Sequence, residues 1–167
     1  AIDKLFKVKD DGKAEIRSLY EHGMGQIVAN RNSIHPNDLS EFLYSVIAMH
    51  VNRKLFLDAE RCLKHAEDSL LSKANVVNDH HSPIPLKCYK KLIVRNWYTE
   101  KTAQKVEESF EKVMDLYRDG YSNLQPDSEL YTAYIEARVV RKKNVEHNLE
   151  EMIESYKSGE NEELKPQ

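Results

Sequence analysis

Two cationic clusters carry most of the chemistry this sequence offers. Lys87, Lys90, Lys91 and Arg95 recur at close spacing, and Arg138, Arg141, Lys142 and Lys143 form a second group. Ammonium and guanidinium groups set along helices hold phosphates, and such binding weakens as salt rises. The same groups on a solvated helix face do no more than keep a chain in solution. Glu129 and Glu136 lie on the element of the second cluster and oppose a strongly basic surface there. Tyr89, Tyr131 and Tyr134 offer ring faces on which bases stack. Their shared apolar spacing also fits packing between helices.

Other groupings lead less far. Asp79, His80 and His81 are metal-ligand types, but adjacent histidines in an extended segment point apart and no further ligand sits at useful spacing. Cys62 and His65, three apart on a helix, supply half a metal site and no more. There is no Gly-rich phosphate loop, no Gly-x-Ser-x-Gly and no carboxylate pair with an evident cleft. The sequence therefore gives no catalytic residue, no metal site and no cofactor.

Elements must position the cationic clusters, and composition says which kind. Of 167 residues, 32% are charged and only five are glycine. Apolar residues recur at helical spacing rather than in alternation, which predicts an all-α protein. Net charge is −3, so the whole surface is not basic. Residues 1–85 carry −1, residues 86–127 carry +1 and residues 128–167 carry −3, ending in the acidic Glu160, Glu162 and Glu163. No stretch approaches the roughly 18 apolar residues of a membrane span, so no membrane insertion is expected. Cys62 and Cys88 read as reduced, buried thiols. With no Met before Ala1 and an end at Pro166-Gln167, where another unit would begin, the chain reads as an excised or processed piece.

Apolar spacing places a helix over Lys13 to Ala29, with Ile16, Leu19, Tyr20 and Ile27 on one side and Gly23 and Gly25 weakening it. Asp38, with Glu41 three residues later, resembles a capping box for a helix to about Val51 that turns Phe42, Leu43, Val46 and Ile47 inward. A helix over Leu55 to Ala74 has Leu57, Leu63, Ala66 and Leu70 as its stripe. The irregular run Asn75 to Pro85 follows, then a helix from Leu86 to about Asn96. Trp97 and Tyr98 form a packing wedge before Thr99, which caps a long helix to Asp119 with Gly120 at its C-terminal end. Asp127 or Ser128 caps the helix to Val140, and Asn144 caps the last, Val145 to Tyr156.

This order contains a hairpin written more than once. Leu86-Lys87-Cys88-Tyr89-Lys90-Lys91-Leu92-Ile93 runs through a second helix to Gly120 and Leu124-Gln125-Pro126-Asp127. Ser128-Glu129-Leu130-Tyr131-Thr132-Ala133-Tyr134-Ile135 runs through another to Gly159 and Leu164-Lys165-Pro166-Gln167. Ile47, Ile93 and Ile135 are 46 and 42 residues apart. A unit that ends in a Pro-containing turn and restarts on the same apolar spacing marks a solenoid, with one helical-repeat domain over residues 1–167. Its parts are the second helix of a partial repeat (13–37) and helix pairs over 38–85, 86–127 and 128–167. End faces of such an array are exposed and prone to association.

The units resemble pentatricopeptide repeats. The likeness is carried by Leu124-Gln125-Pro126 and the run Asp127 to Ala137, with Met114 and Gly120, then Met152 and Gly159, closing the second helices. It is best over 86–167 and weaker over 37–85. The repeats are long, and the restart at Ile84-Pro85-Leu86 is shifted by about one residue. The resemblance implies a right-handed α-solenoid whose first helices line a concave face. It implies single-stranded RNA along that face, one base per repeat, in mitochondrial or plastid RNA processing, stability or translation. Carried over, the base-reading pairs are Lys90 with Asp127, Thr132 with Gln167, and, poorly, Tyr44 with Pro85. Lys87, Lys91 and Arg138 would hold phosphates. Cleavage or editing in that family comes from extra domains that this chain lacks. The rival expectation is a protein-interaction scaffold, such as a subunit of an organellar ribosome, favoured by the net charge and acidic tail.

Overall fold

The computed structural model describes residues 2–71, 81–94, 100–142 and 146–157, with side chains placed from residue 12 onward except at 100, 101 and 156. Those residues form seven α-helices and two short 3₁₀ turns, and no strand. The helices are α1 (Ile2–Ala29), α2 (Pro36–Asn52), α3 (Phe56–Leu70), α4 (Leu86–Ile93), α5 (Glu100–Arg118), α6 (Ser128–Val140) and α7 (Glu146–Lys157). They fall into two compact units, one of residues 1–78 and 83–88, the other of residues 79–82 and 89–167. Helix α4 begins in the first unit and ends in the second. The all-α expectation holds for every described residue.

In the first unit, α1 packs on α2 and α3, and α2 on α3. Ile16, Tyr20, Met24 and Ile27 meet Leu39, Leu43, Val46 and Ile47 from α2 and Leu63, Ala66 and Leu70 from α3, all buried. Each large side chain so buried contributes about 2 kcal/mol. Three expectations need correction here. First, α1 starts at Ile2 and not Lys13, because a glycine costs a helix only about 1 kcal/mol and Gly12 does not stop it. Second, the helix is not merely weakened by Gly23, which makes room for a neighbour: a Cβ there would lie 2.1 Å from Phe42 Cζ. Third, Leu19 and Leu57 are exposed, since each sits off the buried face of its helix.

Helix starts differ from expectation in one case and agree in another. His35, not Asp38, caps α2: its side chain accepts from the Asn37 backbone N–H, and Pro36 takes the first helical position. Proline lacks only an N–H that is orphaned there anyway. Asp38 falls in the first turn, where a carboxylate favours the helix dipole. Asp127 caps α6 as expected, accepting from Leu130 N–H at 3.0 Å. Gly120, at φ 111°, closes α5 in a conformation that side-chain-bearing residues rarely adopt. Thr99 and Asn144 lie outside the described residues.

The second unit packs α5 on α6, with α6 also against α7. Val106, Phe110, Val113 and Met114 bury against Leu130, Tyr131, Tyr134 and Ala137. Phe110 stacks on Tyr134 at 4.2 Å between centroids and meets Tyr131 edge-on at 5.1 Å.

A structural echo links the two units. Helices α2 and α6 both end on Val-x-Arg-Lys, Val51 to Lys54 and Val139 to Lys142. In each, the lysine adopts a left-handed backbone, φ 60° at Lys54 and φ 54° at Lys142, and its N–H bonds the valine carbonyl at 2.9 Å. The arginine N–H bonds one turn back, to Met49 or Ala137. The two motifs are as far apart in sequence as Ile47 and Ile135.

Candidate functional site

The cationic residues of the first helices are held, each in its own way. In the second unit, Lys90 on α4 has its Nζ 2.6 Å from Asp127 Oδ2 and 2.6 Å from Glu129 Oε2. Asp127 thus does two things: one oxygen caps α6 and the other receives Lys90. Burial opposes the Lys90 charge, but the hydrogen bonds to Asp127 and Glu129 outweigh it and raise its pKa. Two residues 37 apart in sequence, paired in the expectation drawn from the pentatricopeptide resemblance, meet side chain to side chain.

Thr132 stands exposed on α6, its hydroxyl donating to the Ser128 carbonyl at 2.8 Å. Arg138 donates to the Tyr134 hydroxyl at 3.1 Å, with its guanidinium carbon 5.6 Å from that ring's centre. The Tyr134 hydroxyl donates in turn to Glu111 Oε1 at 3.4 Å. Lys91 is partly buried on α4. Gln167, Arg95 and Lys143 lie outside the described residues. In the first unit, Lys87 bonds Glu41 and lies 4.8 Å over the Tyr44 ring. The structure thus brings Lys90 to Asp127, and pairs Lys87 and Arg138 with neighbours of their own. Tyr89, Tyr131 and Tyr134 are buried, so they pack the core rather than present faces to solvent.

Sequence reasoning set Arg141 in a cluster that could hold phosphates; the structure instead has it donate to Glu107 Oε2 at 2.9 Å. Glu107 is 2% exposed, and a carboxylate taken out of water is costly to bury without a partner. The Val-x-Arg-Lys echo is the sequence feature that sets Arg141 apart from the rest of that cluster.

A cavity of about 280 Å³ in the first unit is lined by Lys13, Arg17, Tyr20, His50, Asp58 and Cys62, among others. The Tyr20 hydroxyl donates to the Cys62 carbonyl at 2.8 Å and lies 2.9 Å from His65 Nδ1. With its proton given to the carbonyl, the hydroxyl accepts from His65 Nδ1–H. Burial raises the Tyr20 pKa, and burial reinforced by Asp58 pushes the Cys62 thiol up to about 11. A thiol so placed is a poor nucleophile. Cys62 is half-buried rather than buried as expected, His65 is engaged by Tyr20, and among the described residues no group of three His, Cys, Asp or Glu is placed to hold a metal ion. Asp79 and His80 lie outside the described residues. No helix among the described residues is long and apolar enough to cross a membrane.

The lysine–carboxylate cluster on α4 and α6 can recognise a ligand only by exchanging its internal bonds for external ones. Compared with models of protein families, with curated proteins and with solved structures, the chain matches none of them.

Proposed function

We propose that this chain binds single-stranded RNA as a right-handed helical-repeat solenoid of the pentatricopeptide kind, acting in transcript processing, stability or translation in a mitochondrion or plastid. The observation that carries the reading is the Lys90–Asp127 contact of 2.6 Å. In the pattern the chain resembles, those two positions address one base, and they can do so only if they share a face and come within a base's width. Lys90 offers donors and Asp127 acceptors, so a base edge could exchange with both. Thr132, exposed on α6, adds a polar edge, and Lys87, Lys91 and Arg138 supply cations for phosphates.

The test is fluorescence anisotropy with a randomised single-stranded RNA pool at low and moderate salt. Binding weakens as salt rises, and drops in a Lys87/Lys90/Lys91→Ala variant whose helix content is unchanged. No binding at micromolar protein overturns the reading.

One observation favours a second reading, a protein-interaction scaffold within a larger assembly. Lys90 faces two carboxylates, and Lys87 is taken by Glu41, so these cations are largely neutralised by the chain itself. If RNA fails to bind, a pull-down with the same chain is the experiment for that reading.

A further inference from the structure

We propose that the outer face of the last hairpin, α6 with α7, docks a basic amphipathic helix of a partner protein. Eight large apolar side chains are exposed among the described residues, and four of them lie here: Val139 (57%), Val140 (41%), Leu149 (42%) and Ile153 (37%). Scattered exposed apolar residues mean little, but an apolar row along one helix face, as Leu149 and Ile153 form on α7, marks an interaction surface.

Helix α7 has two sides of different character. Asn148 is buried, and Glu151, Met152 and Ser155 are partly so, which fixes the inner side. At 3.6 residues per turn, Leu149 and Ile153 then form an i, i+4 edge on the outer side, and Glu146, Glu150 and Glu154 form the adjacent edge. All five are exposed. An apolar row beside a carboxylate row is the complement of a helix with a leucine-type row beside a lysine row. That is helix-on-helix recognition, with anchors at i and i+4 supplying affinity and charge supplying orientation. A second copy of this chain is the wrong occupant, because it would set one acidic row against another. This inference goes beyond RNA binding and uses none of the residues proposed for it.

The probe is a synthetic peptide of about five helical turns, with Leu at i, i+3, i+4 and i+7 and Lys elsewhere, beside a matched peptide with Glu for Lys. Anisotropy on the full chain is expected to show binding of the Lys peptide that weakens about tenfold in Leu149→Ser/Ile153→Ser. Glu150→Lys/Glu154→Lys should weaken the Lys peptide and strengthen the Glu peptide. These are exposed positions, so helix content should not change; Val139→Ser/Val140→Ser is a second variant on the other helix. Equal binding of the Lys peptide to wild type and Leu149→Ser/Ile153→Ser would reduce the effect to unspecific charge attraction and overturn the proposal. So would no binding at all, or a dimer in sedimentation velocity that the same double variant abolishes.

Discussion

Arg53 in the first unit and Arg141 in the second hold the same place in a Val-x-Arg-Lys helix end and do opposite things. Arg53 reaches the Gly12 carbonyl at 3.1 Å on the surface. Arg141 reaches the interior carboxylate of Glu107 at 2.9 Å. The contrast extends through both units. In the first, ion pairs such as Arg17 with Glu21 lie near solvent, the Tyr20 hydroxyl bonds the Cys62 carbonyl, His50 Nδ1 bonds the Val46 carbonyl, and Glu67 is buried on α3. In the second, the buried Glu107 is met by Arg141, and the rings of Phe110 and Tyr134 stack. The same hairpin backbone therefore accepts two interiors. A closing motif such as Val-x-Arg-Lys fixes the helix end and leaves the arginine's partner to the neighbouring helix.

The comparison breaks most sharply at Phe110. Removing its ring empties a site shared by Tyr131 and Tyr134, and Phe110→Ala should cost about 4 kcal/mol. Denaturant unfolding measures the loss, and hydrogen exchange should place it in α5 and α6. A loss under about 1 kcal/mol would mean the stack is not what holds these helices.

The two arginines come next. Arg141→Met leaves the buried Glu107 without this cation and should cost about 3 kcal/mol, whereas Arg53→Met removes one exposed hydrogen bond and should cost under about 1 kcal/mol. Equal costs in the same unfolding assay would erase the distinction between the units.

Alkaline pH separates the units through their thiols. Both cysteines belong to the first unit; Cys62 is pushed from 9.0 to about 11 by burial and Asp58, and Cys88 from 9.0 to about 12 by burial. The folded chain holds these protons more tightly than the unfolded chain does. Their contribution to stability is thus complete below pH 9 and is lost between pH 9 and about 12. Alkylation of the folded protein at about pH 8 should be slow at both thiols, with Cys88 the slower, and should accelerate on unfolding. Fast labelling of Cys88 in the native protein would contradict its burial.

Much of this architecture was legible, and the gaps have physical causes. The restart at Asp127 was readable because a proline precedes it and Leu130 follows three residues on, the offset at which a capping carboxylate finds its N–H. The start of α2 was misread because Asp38 is the commoner cap type, although Pro36 at the first helical position was the better signal. Leu19 and Leu57 fooled the apolar spacing because periodicity gives a stripe's width poorly. Of the candidate site, the resemblance paired Lys90 with Asp127, but no local rule in the sequence says that they bond each other rather than water. The Glu107–Arg141 pair, whose members stand 34 positions apart, is a consequence of packing α5 on α6.

The smallest effect is the most discriminating, because it compares two lysines of a single helix. Lys87 pairs with Glu41 in the first unit at 38% and 67% side-chain exposure, and Lys90 pairs with Asp127 in the second at 26% and 12%. Solvent screens the first pair more, and its long chains must be ordered to make it. A double-mutant cycle of Lys87→Met with Glu41→Gln should give a coupling of about 0.3 kcal/mol, falling toward zero at high salt. The cycle of Lys90→Met with Asp127→Asn should give about 1 kcal/mol and hold better in salt, since Asp127 is mostly buried and also carries the α6 cap. Couplings of equal size would mean that the charge drawn inward in the second unit stops at Glu107 and does not extend to the face where Lys90 stands.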